Sequence, residues 1–302
     1  MSIPSFTLNT GAKIPAIGLG TWKSAPGEVT AAVKAALQCG YRHLDCAFAY
    51  GNEAEVGQGI KESGVPREEI FITSKLWCTY HSDVEAGLDA SLKELGLDYV
   101  DLYLVHWPIA LNPKGNDPKF PTLPDGSRDI VKDADYSQTW KGMEAVYKKG
   151  KAKAIGVSNL SVPKLERLLK DAEVVPAANQ IELHPLCPQQ EVVDFCHKHG
   201  ILPQAYSPLG STESPILKDE HLAKIAEKLN CSVSNVLISY QVQRGVCVLP
   251  KSVTPSRIEQ NLKIVKLGDE DFKFISQMHG GKVHRFVKPN WEPFKMEFPD
   301  WE

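Results

Sequence analysis

In the stretch Asp45-Cys-Ala-Phe-Ala-Tyr50-Gly-Asn-Glu53 a carboxylate and a phenol stand five residues apart, directly after a short apolar run that ends at Leu44. Two later runs of strand length close in the same way, one on Lys75 and one, Val100-Asp-Leu-Tyr-Leu-Val, on His106. A tyrosine, with an ordinary pKa of about 10, is a slow proton donor at neutral pH. An ammonium beside it favours the phenolate and can lower that value by roughly 1–3 units. A carboxylate on the far side of the lysine would hold the ammonium charged and in place. A histidine close by could hydrogen-bond the same substrate oxygen and fix its position. Asp45, Tyr50, Lys75 and His106 therefore suit proton transfer to a substrate oxygen, with no nucleophile and no metal required. Taken singly, they read as a loop carboxylate, a packed phenol, a solvated lysine and a buried histidine. Their shared place at strand ends is what gives the group meaning.

Strand ends need strands. From residue 16 onward, apolar runs alternate with amphipathic stretches, and the spacing predicts eight strands at 16–19, 42–45, 70–75, 100–105, 152–157, 177–181, 202–205 and 246–249. Helices are expected at 27–39, 53–62, 82–95, 137–149, 163–169 and 189–199, two more between 217 and 243, and a last one starting near Thr254. Strands apolar on both faces and separated by helices indicate parallel pairing with crossovers. Eight such units in roughly 250 residues is the count of a closed (β/α)8 TIM barrel, whose active residues gather where the strands end. An open doubly wound sheet would carry G-x-G-x-x-G after its first strand. Here Gly18-Leu-Gly20 runs into Thr21-Trp22-Lys23, and the third glycine is missing. No composition break marks a second domain, so residues 1–302 are read as one barrel domain.

Three appendages are expected on the barrel. Asn9-Thr10-Gly11 between two apolar stretches signals an N-terminal β-hairpin. Residues 108–135, rich in Pro, Gly, Asp and Lys, form a long loop directly after His106. The tail beyond Gly280-Gly281 carries Phe286, Trp291, Phe294, Phe298 and Trp301 without helical period. That aromatic content argues for docking onto the body rather than disorder.

The bulk numbers exclude several classes. A net charge of −3 gives no pull toward nucleic acid or an acidic membrane surface. No apolar run approaches about 18 residues, and the N-terminus has no basic region followed by an apolar core. Seven cysteines without a C-x-x-C pair indicate reduced thiols and a cytoplasmic setting. Cys196-His197-Lys198-His199 lies on a helical segment that points those side chains apart, so no metal is expected. Asn159-Leu-Ser161 and Asn230-Cys-Ser232 match a glycosylation pattern by chance if the chain is not exported.

Near the C-terminus, Val246-Cys-Val-Leu-Pro-Lys251-Ser-Val-Thr-Pro-Ser-Arg257 reads as the last strand entering a basic loop and a helix start. Loops after the seventh and eighth strands are the usual phosphate-binding place in such barrels. Lys251 and Arg257, with the Ser252 hydroxyl, could grip a phosphate there.

These residues sit in stretches that resemble the aldo-keto reductase superfamily along the whole chain. They are Gly18-Leu-Gly-Thr-Trp22, Asp45 to Glu53, Thr73-Ser-Lys75-Leu-Trp77 and Leu104-Val-His-Trp-Pro108, then Gly156-Val-Ser-Asn159, Asn179-Gln-Ile-Glu-Leu-His-Pro185, Ala205-Tyr-Ser-Pro-Leu-Gly210 and Pro250 to Arg257. The resemblance implies a barrel binding NADP(H) across its mouth and reducing a small-molecule carbonyl. It makes Tyr50 the general acid, Lys75 and Asp45 its partners, and His106 the residue that orients the carbonyl. Ser158, Asn159 and Gln180 match positions that hold the carboxamide, and Tyr206 the one that stacks on the nicotinamide. Ser207, Leu209 and Ser211 match the pyrophosphate path. Lys251, Ser252 and Arg257 would take the 2′-phosphate, and Asn261 the adenine. Trp22, Trp77 and Trp107 would wall the substrate pocket.

Two positions depart from the family pattern. Cys46 stands where many members have Thr, and Gln260 where many have a Glu that contacts adenine or ribose. Loss of that charge is expected to alter cofactor affinity, with NADP(H) still preferred over NAD(H) because Lys251 and Arg257 remain. Within the superfamily the chain is most similar to fungal NADP-dependent glycerol dehydrogenases and aldehyde reductases. That implies reduction of glyceraldehyde and of small sugar or aromatic aldehydes, with reversible oxidation of glycerol or polyols, by a monomer. The alternative is a non-catalytic NADPH-binding sensor or partner subunit on the same fold. A hydrolase on this barrel would need paired carboxylates or a metal, and only Asp45 is acidic among the strand ends.

Overall fold

A computed structural model describes residues 3–22, 24–25, 27–211 and 214–301. Strands β1 (Ser5–Thr7) and β2 (Lys13–Pro15) form the expected antiparallel hairpin, with Phe6 opposite Ile14. Eight parallel strands follow: β3 (Leu19–Gly20), β4 (His43–Asp45), β5 (Phe71–Leu76), β6 (Leu102–Val105), β7 (Ile155–Ser158), β8 (Ala178–Glu182), β9 (Leu202–Tyr206) and β10 (Cys247–Leu249). They pair in sequence order from β3 to β10. Parallel bridges Ile17 to Val248 and Gly20 to Lys251, with Gly18 N–H donating to the Val248 carbonyl at 2.9 Å, join the last strand to the first. The ring is closed, and the (β/α)8 barrel stands.

The helices are α1 (Glu28–Cys39), α2 (Glu53–Ser63), α3 (Val84–Leu95), α4 (Tyr136–Lys148), α5 (Val162–Asp171), α6 (Gln190–Lys198), α7 (Glu220–Lys228), α8 (Val233–Gln243), α9 (Pro255–Gln260) and α10 (Asp269–Gln277). Nine of these answer to expected helices. The tenth, α10, lies beyond the last helix expected from the sequence. It buries only Ile275, with Phe272 and Phe274 half-buried, so its apolar stripe is too thin to stand out by period. Its acidic first turn, Asp269-Glu-Asp271, was the available signal.

Two of the three hydrophobic clusters among the described residues hold the strands of the barrel. Strands β4, β5 and β6 are buried at every residue, and the helices lay apolar stripes against the ring. In α1 the buried set is Val29, Ala32, Val33, Ala36 and Leu37, the spacing of one helical face. Each large apolar side chain removed from water contributes about 1.5–3 kcal/mol. A second core sets hairpin residues Leu8 and Ile14 among Phe71, Leu102, Ala178, Leu202 and Cys247, the first residues of their strands. The hairpin thus plugs the end where strands begin and leaves the other end open. Gly18 shows how tightly the seam closes: a Cβ there would lie 2.7 Å from His43 Nδ1.

The long loop and the tail both fold onto the open end. Trp77 Nε1 donates to the Lys119 carbonyl at 2.5 Å and Thr79 Oγ1 to that of Pro118 at 3.0 Å, tying the loop to the top of β5. In the tail, Trp291, Met296 and Phe298 are buried in the main core. Arg285 clasps Asp300 through two nitrogens at 2.7 and 3.0 Å, and Arg167 and Lys164 on α5 reach Glu297.

Candidate active site

Asp45 is the last residue of β4, Lys75 lies one residue before the end of β5, and His106 directly follows β6. Tyr50 ends a short 3-10 turn, Phe48–Tyr50, that follows β4. The four expected residues come together. Lys75 Nζ donates to Asp45 Oδ2 at 2.7 Å, to the Cys46 carbonyl at 2.9 Å, and lies 3.2 Å from Tyr50 Oη. The lysine and the carboxylate are almost wholly buried, whereas Tyr50 is half-buried and faces a cleft. Burial alone would push the lysine toward neutrality; Asp45 and Tyr50 together outweigh it and raise the pKa.

Tyr50 departs from expectation in one respect. Its pKa is pushed up to about 12, not below the usual phenol value. Burial is the larger cause; the Lys75 charge does lower it, and Asp45 works against Lys75. The lysine therefore offsets a desolvation cost rather than producing an acidic phenol, and Tyr50 keeps its proton throughout the neutral range. Burial, then Lys75, hold His106 well below the ordinary imidazole value. It is neutral at pH 7. Its Nδ1 is buried without a partner among the described residues, which leaves Nε2 to meet the cleft.

Further hydrogen bonds brace this cluster. Gln180 on β8 donates through Nε2 to Asp45 Oδ1 at 2.8 Å and to Gln204 Oε1 at 3.0 Å, leaving its own Oε1 as the atom open to a ligand. Ser158 Oγ donates to the Gln180 carbonyl at 2.7 Å. Asn159 donates to the His106 carbonyl and to Ser158 Oγ, and accepts from the Tyr206 hydroxyl at 2.9 Å. It sits at φ 61, a left-handed conformation held by those three bonds. Both its N–H groups are engaged within the protein, so its side chain acts first as a brace between β6, β7 and β9.

The cleft has a volume of about 1460 Å³. Asp45, Tyr50, His106, Ser158, Asn159, Gln180, Tyr206, Ser207, Leu209, Ser211, Lys251, Ser252, Arg257 and Asn261 all line it, as do Trp22, Trp77 and Trp107. Of the expected site residues only Lys75 does not, because it lies beneath Tyr50. The Lys251–Arg257 segment, beyond the end of β10, forms one arm of the cleft, and Gln260 lines it too. This arm offers an ammonium, a guanidinium and a hydroxyl, the donor set of a phosphate site. Trp107 also anchors the tail, since its ring lies 5.6 Å from that of Trp291 and 6.1 Å from that of Trp301.

The residues that sequence reasoning missed come mostly from the loop and the tail. Phe120, Thr122, Ser127 and Arg128 line the cleft from one side, and Phe286 to Glu292 from another. Trp291 Nε1 is buried there without a partner among the described residues. Aromatic content predicted that the tail docks but not where, because where it docks is set by Glu182. That buried carboxylate on β8 accepts from the tail backbone N–H groups of Phe286 and Val287 at 2.6 and 2.9 Å. Cys196, His197 and His199 find separate surroundings on and after α6, and no group of three or more potential metal ligands occurs among the described residues.

Residues 16–279 match the model of the Aldo/keto reductase family. The chain is 56% identical to the D-galacturonate reductase of Hypocrea jecorina, over 99% of this chain and 98% of that protein. It is 52% identical to the glycerol 2-dehydrogenase (NADP(+)) of Saccharomyces cerevisiae, over 96% of each. Among solved structures, the aldose reductase from Schistosoma japonicum superposes with a TM-score of 0.89 at 38% identity, covering 94% of each chain.

Proposed function

The chain belongs to the aldo/keto reductase family, and on that footing we propose that it is an NADP(H)-dependent reductase of small aldehydes that also oxidises polyols such as glycerol. The observation that carries this reading is the line Tyr50–Lys75–Asp45, at 3.2 and 2.7 Å, opening onto a cleft with a cationic arm. The donor set suits the cofactor. Lys251, Ser252 and Arg257 would hold its 2′-phosphate and Asn261 its adenine. Ser207, Leu209 and Ser211 would follow the pyrophosphate. The Tyr206 ring would face the nicotinamide, with Ser158, Asn159 and Gln180 about its carboxamide; Gln180 Oε1 is the acceptor left open there. Bound in this way, NADPH supplies the hydride that a carbonyl carbon takes up.

The chain's own residues do the rest. Tyr50, protonated at pH 7, gives its proton to the carbonyl oxygen as negative charge develops on it. Lys75 then stands beside the phenolate, and Asp45, fastened by Gln180, keeps that ammonium in place. Neutral His106 offers Nε2 to the same oxygen and sets its direction. Trp22, Trp77 and Trp107 exclude water around the carbonyl. In the reverse direction the Tyr50 phenolate would accept the proton of an alcohol. The reading includes a monomer working in the cytoplasm, the setting supported by seven cysteines that are all free thiols.

Following NADPH absorbance with D-glyceraldehyde, for wild type and Tyr50→Phe, tests the assignment. The variant is expected to lose about 10²–10⁴-fold in kcat while still binding NADPH. Undiminished turnover in the variant would remove Tyr50 as the donor. No consumption by wild type across a panel of aldehydes, with NADPH bound, would favour the non-catalytic subunit. In the same assay NADPH should show a lower KM than NADH; equal values would sink the phosphate grip of Lys251 and Arg257.

A further inference from the structure

Resting on that reading, we propose that Arg128 is the carboxylate-recognising residue of the substrate pocket, and that the enzyme selects aldehydes carrying an acid group several carbons from the carbonyl, as in an open-chain uronate. Arg128 lines the cleft from the long loop. Its backbone is held in an antiparallel bridge with Thr122, and its guanidinium lies 5.1 Å over the Phe120 ring. Nη1 donates to the Phe120 carbonyl at 3.0 Å, which fixes the group and leaves its other N–H groups available. The Phe120 ring contacts Trp77, and Trp77 contacts His106, each at 5.2 Å between centroids. An aromatic wall therefore runs from the carbonyl-orienting histidine to the guanidinium.

The loop's carboxylates do not neutralise that charge. Asp117 accepts from the backbone N–H groups of Lys119 and Phe120, Asp125 from Ser127, and Asp129 from Asn112. Among the described residues no carboxylate comes within ion-pairing distance of Arg128, and its charge reaches Asp117 only weakly. A half-buried guanidinium, stacked and unpaired, presents the planar fork that a carboxylate fits with two parallel bonds. The length of the wall sets the ligand class. Three steps of 5.2, 5.2 and 5.1 Å lead along the wall from His106 through Trp77 and Phe120 to Arg128, a path that suits a six-carbon sugar acid better than a two-carbon one. Ser127, Thr122 and Asn290, which line the same part of the cleft, offer partners to intervening hydroxyls.

The test compares D-glucuronate with D-glucuronamide, which match in length and differ in charge, and includes D-glyceraldehyde. Wild type, Arg128→Met and Arg128→Lys are assayed with NADPH. Wild type should prefer glucuronate over glucuronamide in kcat/KM. Arg128→Met, which keeps an apolar stem on Phe120, should cut that preference about ten-fold or more, chiefly through KM. Arg128→Lys should restore part of it, and the preference should weaken as salt is raised. An unchanged glucuronate-to-glucuronamide ratio in Arg128→Met, or no preference in wild type, overturns the proposal while glyceraldehyde turnover leaves the reductase intact. Failure to reduce any of the three would instead bring down the reductase reading, and this inference with it.

Discussion

At the scale of single residues, the site is a buried charge pair with a phenol laid on top. Lys75 and Asp45 are both almost wholly buried, so neither can lose its partner without leaving a charge in a poorly solvated place. Lys75→Met should therefore lower stability by about 3–5 kcal/mol, read as a shift in urea midpoint. It should also abolish turnover, because the charge that offsets burial at Tyr50 is gone. With that charge removed, the pKa of Tyr50 climbs further, and whatever alcohol oxidation remains should need a higher pH than in wild type. A variant as stable as wild type would mean that Asp45 is satisfied by Gln180 alone. The sequence displayed the Asp45–Tyr50–Lys75–His106 set plainly, because each member lies at or just past the end of an apolar run of strand length. It could not display burial, which at Tyr50 outweighs the lowering effect of Lys75.

At the scale of elements, the substrate end is assembled by two irregular segments whose positions depend on few bonds. Glu182 is the fastener for the tail: fully buried, it accepts the Phe286 and Val287 N–H groups and lies 2.8 Å from His184 Nε2. Glu182→Gln replaces a charged acceptor by a neutral one that must also place two N–H groups. A loss of about 1.5–3 kcal/mol for bonds to a charged group is expected to loosen the tail. Amide hydrogen exchange at residues 285–292 should speed up, and KM for aldehydes should rise more than kcat falls. Exchange rates unchanged in that segment would show the tail to be held by Trp107, Arg285 and α5 without Glu182. Sequence texture identified the tail and the loop as functional segments, since both are long and irregular. It gave no hint that Glu182, the acid that ends β8, would meet a backbone 104 residues away.

At the scale of the whole molecule, closing eight strands into a ring forces several histidines into the interior as neutral groups. Burial lowers His43 and His81 to about 4 each, opposed by Asp45 in the first case and by a backbone hydrogen bond in the second. Linkage gives the sign. Below about pH 6.5 the unfolded chain takes up protons that the native state refuses, so stability falls as pH drops from about 6.5 through about 4. Each histidine contributes on the order of 2–3 kcal/mol to that loss. Urea denaturation from pH 7 to pH 4 should show the decline, and His81→Gln, whose neighbour is the Thr139 hydroxyl, should make it shallower. A flat profile across that window would contradict the assignment.

What the sequence determined by itself was everything carried by local pattern. Alternating apolar runs and amphipathic stretches specify eight βα units, and the missing third glycine after Gly18-Leu-Gly20 favours the closed ring over an open doubly wound sheet. Residue type at the strand ends then points to proton transfer, and the basic run after β10 to an anionic ligand. What only the tertiary structure decided were the contacts between parts distant along the chain. Burial raised Tyr50, Gln180 proved to brace Asp45, and Asn159 to tie three strands together. The loop brought Arg128 to the pocket, and Glu182 brought the tail. Each depends on desolvation or on a hydrogen bond formed when separate segments meet, and no period or spacing within a single segment encodes such an event.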